Sequence, residues 1–307
     1  MKKVFPILAA LALLLSACQI GGAAQPTAIV LPDNVPTETP VPQGQSAADA
    51  SSGDSRTSTV DGMVQVLIPA GTFNMGGVDP QASADEKPVH QVAMKQFWID
   101  KVEVTNGMYA LCVKAGACRF PQELKSDTRD TYYTDAQYAD YPVVYVTWLQ
   151  AKTYCEWAGR RLPTEAEWER AARGDDFRTY PWGDQLPDAT RVNYNNLVGD
   201  TTRVGSMPAG ASPFGVFDMS GNVAEWINDI YDPNYYASGI AANPQGPGNL
   251  STVFNHVVRG GTFQDAEMNI RVSKRSSVLG SNPNATIDTP EWLGTFSPKI
   301  GFRCAAD

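Results

Sequence analysis

Residues 146–174 read VTWLQAKTYCEWAGRRLPTEAEWERAARG, and this stretch specifies two helices together with their ends. Thr147 and Gln150 have capping-box spacing, so the first helix starts at Trp148 and runs to Ala158, where Gly159 can take the left-handed position that stops it. Ala151, Tyr154, Cys155 and Ala158 fall on one face of that helix. Thr164 and Glu167 repeat the box, and Gly174 ends the second helix. Its acidic first turn and arginine-bearing last turn both suit the helix dipole.

Towards the N-terminus the pattern changes period. Val64, Val66 and Ile68 alternate as in a strand, and Pro69-Ala70-Gly71 turns the chain back towards Thr72-Phe73-Asn74-Met75. The run HQVAMKQFWIDKVEV, residues 90–104, is extended, and Thr105 is the N-cap of a further helix that ends near Gly116. After Gly174, turn sequences dominate: Pro181-Trp182-Gly183-Asp184, Asn193-Tyr194-Asn195-Asn196, Pro208-Ala209-Gly210 and Ser220-Gly221-Asn222. Strands remain at HVVRGGTF, residues 256–263, and around GFRCA, residues 301–305. Residues 61–307 hold all seven Trp, both His and four of the five Cys with no low-complexity break, so they read as one irregular α+β domain rich in loops. With 33 acidic and 24 basic residues, a net charge of -9 argues against a nucleic-acid partner.

The first 60 residues are of another kind. Lys2 and Lys3 precede an apolar run from Val4 to Leu15, too short for a mature membrane span, so residues 1–17 read as a signal peptide. Leu15-Ser16-Ala17-Cys18 resembles a bacterial lipobox, which implies cleavage before Cys18 and lipid on its sulfur. The expected result is an exported protein tethered to a bacterial membrane by acyl chains, including palmitate, with its domain outside the cytoplasm. Residues 18–60 carry the lipidated cysteine and a Pro, Thr, Ser, Ala and Gln mixture with no Trp, Tyr or Phe, and read as a disordered linker.

The ordered set IPAGTFNMGG, DEKPVHQV, VTNGMYALC, VTWLQAKTYCEWAGRRLPTEAEWERAARG, YPWGD, FGVFDMSGNVAEW, VVRGGTF and GFRCA resembles the sulfatase-modifying-factor domain of the formylglycine-generating enzyme family across residues 61–307. The resemblance implies a compact, loop-rich fold related to C-type lectins, often with structural calcium. It also implies an activity, oxidation of a sulfatase cysteine to formylglycine with copper and oxygen, which needs two thiolates as soft ligands for Cu(I). By spacing in RGGTFQDAEMNIRVSKRSS, those two positions fall on Asp265 and Ile270. Neither supplies a soft ligand, so no copper is expected.

With Cys18 lipidated, Cys112, Cys118, Cys155 and Cys304 form an even set, open to three pairings. A helix-to-loop staple favours Cys112 with Cys118, and the resemblance implies Cys155 with Cys304. That leaves no thiol for catalysis. Neither His90 nor His256 has a second ligand at a metal spacing, and Gly260-Gly261 lacks the Lys of a phosphate loop.

For calcium, the resemblance implies one site from Asn193, Tyr194 and Asp200, and a second from Asp218, Met219, Gly221 and Val223, mostly through main-chain oxygens. On the alternative reading, Asp218 and Asn222 hold turns and Glu225 lies in a salt bridge. Arg259 and Arg303 are expected to pin irregular backbone, and Trp182 and Trp226 to be core aromatics or a groove wall. Asp265, Glu267, Asn269, Arg271 and Arg275 are the candidate ligand-binding groove. The leading functional expectation is a binding or assembly module for a peptide, glycan or envelope protein. The alternatives are an enzyme of altered chemistry with Asp265 and Glu267 as acid/base groups, a divergent formylglycine-generating oxidoreductase acting on a protein, and a purely structural lipoprotein.

Overall fold

The computed structural model describes residues 53–248, 254–286 and 294–307. Cys18, the expected signal peptide and most of the expected linker lie outside the described residues. Among the described residues, ten short strands, three α-helices and five short 3-10 turns form the domain, with long stretches of turn between them. Strands β1 (Ser55–Thr57), β2 (Val64–Ile68), β5 (Phe97–Asp100) and β10 (Ala305–Ala306) make one antiparallel sheet in that lateral order. Strands β3 (Gly71–Met75) and β4 (His90–Met94) form a two-stranded ribbon. The third sheet has the order β8 (Ser276–Leu279), β7 (Asn255–Arg259), β6 (Ala224–Ile230), β9 (Ile300–Gly301), with β9 parallel to β6 and the other pairs antiparallel.

Two sequence expectations are corrected here. The strand ending at Ile68 and the strand beginning at Gly71 do not pair with each other; β2 pairs with β1 and β5, and β3 with β4. The Pro69-Ala70-Gly71 turn is therefore a corner between sheets and not a hairpin. Nor does the linker extend to residue 60, because β1 already belongs to the first sheet. This strand has no apolar side chain to announce it. It is held by ladder hydrogen bonds to β2 and by Arg56, whose guanidinium lies 4.4 Å from the Trp98 ring centroid and donates to Gln65.

The helices form where their caps direct. Helix α1 (Asn106–Lys114) has Thr105 accepting from the Met108 N–H, and α2 (Trp148–Trp157) and α3 (Glu165–Arg173) both have complete capping boxes. The expected face of α2 is buried, and Cys155 on it is bonded to Cys304; Cys112 is bonded to Cys118. Every one of the nine residues of α3 is buried, including Glu165, Glu167, Glu169, Arg170 and Arg173. Charges in such a place must be paired. Arg259 donates to Glu165 and Glu169, Arg275 grips Glu165 with two bonds of 2.8 and 2.9 Å, and Arg161 grips Glu167 with two of 2.7 and 2.8 Å.

Candidate functional site

One face of the third sheet is the floor of a pocket of about 350 Å³. Register explains its lining. Val258 of β7 stands opposite Ser276 of β8, and Ala224 of β6 opposite Ile300 of β9; Val278 lies two residues beyond Ser276 and so points the same way. Ala224, Val258, Val278 and Ile300 are the apolar floor, while Thr262, Asp265, Asn269, Lys274, Ser297 and Lys299 supply polar walls. The wall after β7 turns at Gly260 and Gly261, both at positive φ. A Cβ at Gly261 would stand 2.7 Å from the Asn269 carbonyl oxygen and 2.8 Å from Ile270, so only glycine lets this loop close against itself.

Of the five groove residues expected from sequence, the pocket gathers Asp265 and Asn269. Asp265 shapes the wall, its Oδ2 accepting from the Thr262 N–H and hydroxyl at 2.8 Å each. Glu267 is exposed and does not line the pocket. Arg271 and Arg275 are corrections, being buried and committed elsewhere: Arg271 to Glu86 and Asp79, Arg275 to Glu165 and the carbonyls of Asp85 and Asp232. A guanidinium in the interior is stable only when its donors are taken by carboxylates and carbonyls, and those partners came from segments more than forty residues away. Lys274 and Lys299 were missed. The signal for Lys274 was its alternation with Ser276 and Val278; Lys299 carried none, because only the β6–β9 pairing brings it to the wall.

The copper positions do not fit a copper ion. Asp265 is a turn-holding carboxylate, and Ile270 is fully buried in an apolar cluster with Tyr180 and Val192. All four domain cysteines are in disulfides. As expected, Arg303 pins backbone and holds Glu225 in a salt bridge, and Arg259 joins α3 to the carbonyls of Val272 and Ser273. Trp226 is a core residue, whereas Trp182 is half-buried and stacks on Tyr180 at 5.0 Å.

The two calcium expectations separate on geometry. At the first, Asp200 is saturated by the Ser126 and Thr128 hydroxyls and the N–H groups of Thr128 and Thr201. Burial alone would push its carboxyl up, but these hydrogen bonds hold it below the usual carboxylate range. The Tyr194 carbonyl accepts from the Leu197 N–H, and only Asn193 Oδ1 is buried without a partner. The positive charge is already present: Arg129 lies 3.6 Å from Asp200, donates to Thr201 Oγ1 and the Thr201 carbonyl, and sits over the rings of Tyr132, Tyr138 and Tyr141. Asn193, Tyr194 and Asp200 therefore do not fit a calcium ion.

The second set fits better. Asp218, at φ 57°, accepts from the Gly205 N–H, and among the described residues no hydrogen bond reaches the carbonyls of Met219, Gly221 or Val223. Around this loop Glu103 and Glu225 are both fully buried, and Arg303 is the positive group among the three carboxylates. Burial first, then the charges of Asp218 and Glu225, push Glu103 well above the usual carboxylate range, and burial pushes Asp218 up to about 6. Among the described residues no three His, Cys, Asp or Glu side chains could hold a metal by themselves, so a cation here would draw on the main-chain oxygens as well.

Comparison with known proteins accounts for this fold. The profile described as the sulfatase-modifying factor enzyme 1-like domain matches residues 49–307. A formylglycine-generating enzyme of Streptomyces coelicolor is 33% identical over 295 residues, covering 79% of this chain and 89% of that protein. A serine/threonine-protein kinase, pkn1 of Chlamydia pneumoniae, is 36% identical over 251 residues, and there the chain spans 37% of the relative's length. Among solved structures, PvdO from Pseudomonas aeruginosa superposes with a TM-score of 0.68 at 26% identity, over 84% of this chain and 99% of PvdO. The chain belongs to the family of the sulfatase-modifying factor enzyme 1-like domain.

Proposed function

We propose that this protein is a lipid-anchored binding or assembly module outside the cytoplasm that uses the family fold without the copper-dependent oxidation. One observation carries the reading: the four domain cysteines are consumed in disulfides, and by the spacing of the family resemblance the two positions where the oxidation needs thiolates fall on Asp265 and Ile270. Two disulfides suit an oxidising compartment, and no helix among the described residues is long and apolar enough to cross a membrane. The anchor is the lipid on Cys18, after removal of residues 1–17. The ligand is a peptide, a glycan or an envelope protein, bound at the pocket over the third sheet. Chemistry by Asp265 with Glu267 has less support, because Glu267 does not line that pocket.

The test is direct. Purified protein incubated with a Cys-containing sulfatase peptide, copper and oxygen is expected to leave the cysteine unchanged by mass spectrometry, and formylglycine in the product would overturn the reading. Pull-down from envelope extract, with Asp265→Lys as the comparison, then tests for a partner whose capture depends on the pocket.

Calcium, in this reading, binds at Asp218, Met219, Gly221 and Val223 and compensates the buried carboxylates. A ligand present at a hundred times its Kd adds about 2.7 kcal/mol. For a domain of this size, EDTA is then expected to lower Tm by about 5–10 °C. Asp218→Asn should abolish that response and Asp200→Asn should leave it intact. A Tm indifferent to EDTA and to added calcium would remove the assignment.

A further inference from the structure

We infer that the pocket is selective for a small organic carboxylate, with Lys274 and Lys299 receiving its anionic head. The inference rests on the reading of the pocket as the binding site and names the chemistry that site would choose. The protein as a whole carries a charge of -9, yet the charged groups lining this pocket are two lysines and one aspartate. Among the described residues neither lysine has a carboxylate partner; the recorded polar contact of Lys274 Nζ is the Ser83 hydroxyl at 3.4 Å. Asp265 opposes them only in part, since one of its oxygens already accepts two hydrogen bonds from Thr262.

The rest of the lining agrees. Asn269, Ser276 and Ser297 are neutral hydrogen-bonding groups in the same lining as the two lysines, and the floor is apolar. Ammonium groups without a carboxylate partner, together with hydroxyl and amide donors in the lining, satisfy a carboxylate in a pocket, where water screens the charges less than at an open surface. An apolar floor of four side chains suits a short hydrocarbon or peptide body, and about 350 Å³ suits a small ligand more than a folded chain. A cationic ligand would meet two lysines against one aspartate. A neutral sugar would leave them unpaired.

The carboxylate has two sources, a free organic acid and a peptide C-terminus, which the test separates. The full chain in detergent would be titrated calorimetrically with hexanoate, hexanamide, N-acetyl-Ala-Leu and the C-terminal amide of that dipeptide. Each carboxylate is expected to bind at least about tenfold more tightly than its amide, with affinity falling as salt rises. Lys274→Gln and Lys299→Gln should each weaken the bound carboxylate by about five- to tenfold without lowering Tm. Asp265→Asn, which keeps an acceptor for Thr262, should tighten it. Preference for the dipeptide over hexanoate assigns a peptide terminus, and the reverse assigns a free acid. Equal affinity for acid and amide overturns the inference while leaving the pocket a binding site. No binding by any of the four also overturns it, and the pocket reading itself then stands or falls on the pull-down.

Discussion

Arg303→Met is expected to destabilise the domain by about 3–5 kcal/mol, the range for removing one partner of a buried ion pair. Arg303 is fully buried and holds Glu225 with two bonds of 2.7 Å, while its other donors reach the carbonyls of Asp100 and Phe217. Taking away the guanidinium orphans two carbonyls and leaves Glu225 with the Trp168 indole N–H as its remaining partner, near Glu103 and Asp218. At this size the loss corresponds to a fall in Tm of about 6–20 °C. Urea denaturation of Arg303→Met, Glu225→Gln and the double variant would measure it. Neutralising Glu225 should recover part of the loss, and a single-variant effect below about 1 kcal/mol would show that the pair is replaceable by packing alone.

The second large effect comes from covalent linkage. Cys155–Cys304 closes a separation of 149 residues and Cys112–Cys118 one of six. In the chain-entropy model the long loop contributes about 5 kcal/mol and the short one about 2 kcal/mol, because the stabilisation grows with the logarithm of loop length. Replacing each cysteine pair by alanines and comparing urea midpoints should give that order, with the Cys155/Cys304 variant the weaker by about 3 kcal/mol. Equal losses would mean that strain or residual structure, and not loop entropy, governs the bridges.

The sequence was most legible where a few neighbouring residues decide the outcome. Thr105, Thr147 and Thr164 cap the helices because each hydroxyl meets an N–H three residues on. Both disulfides followed from an even count of cysteines, one local spacing and the family resemblance. Helix α3 shows where such reading stops. Its caps and the fit of its charges to the helix dipole were evident, but not that the charges are buried, which they can be because Arg259 and Arg275 arrive from 90 and more residues further along the chain. Strand β1 was invisible for a different reason: an edge strand held by backbone bonds needs no apolar side chain.

The candidate site divides in the same way. The expectation that the two thiol positions fall on Asp265 and Ile270 comes from the family resemblance, and the residue types there are read from the sequence alone. Whether a loop full of oxygens takes a cation is not, since it depends on which positive charge reaches it first: Arg129 reaches Asp200, while Arg303 is shared among Glu225 and its acidic neighbours Glu103 and Asp218. The pocket likewise exists only because β6 pairs with β9 and β7 with β8, which brings Lys274 and Lys299 to one cavity. Caps and turns are satisfied within a few residues, and cysteine parity is a count along the chain, so the amino-acid order alone determined them. Charge compensation and pocket lining require groups far apart in sequence to meet in a dry interior, and only the tertiary structure decided which did.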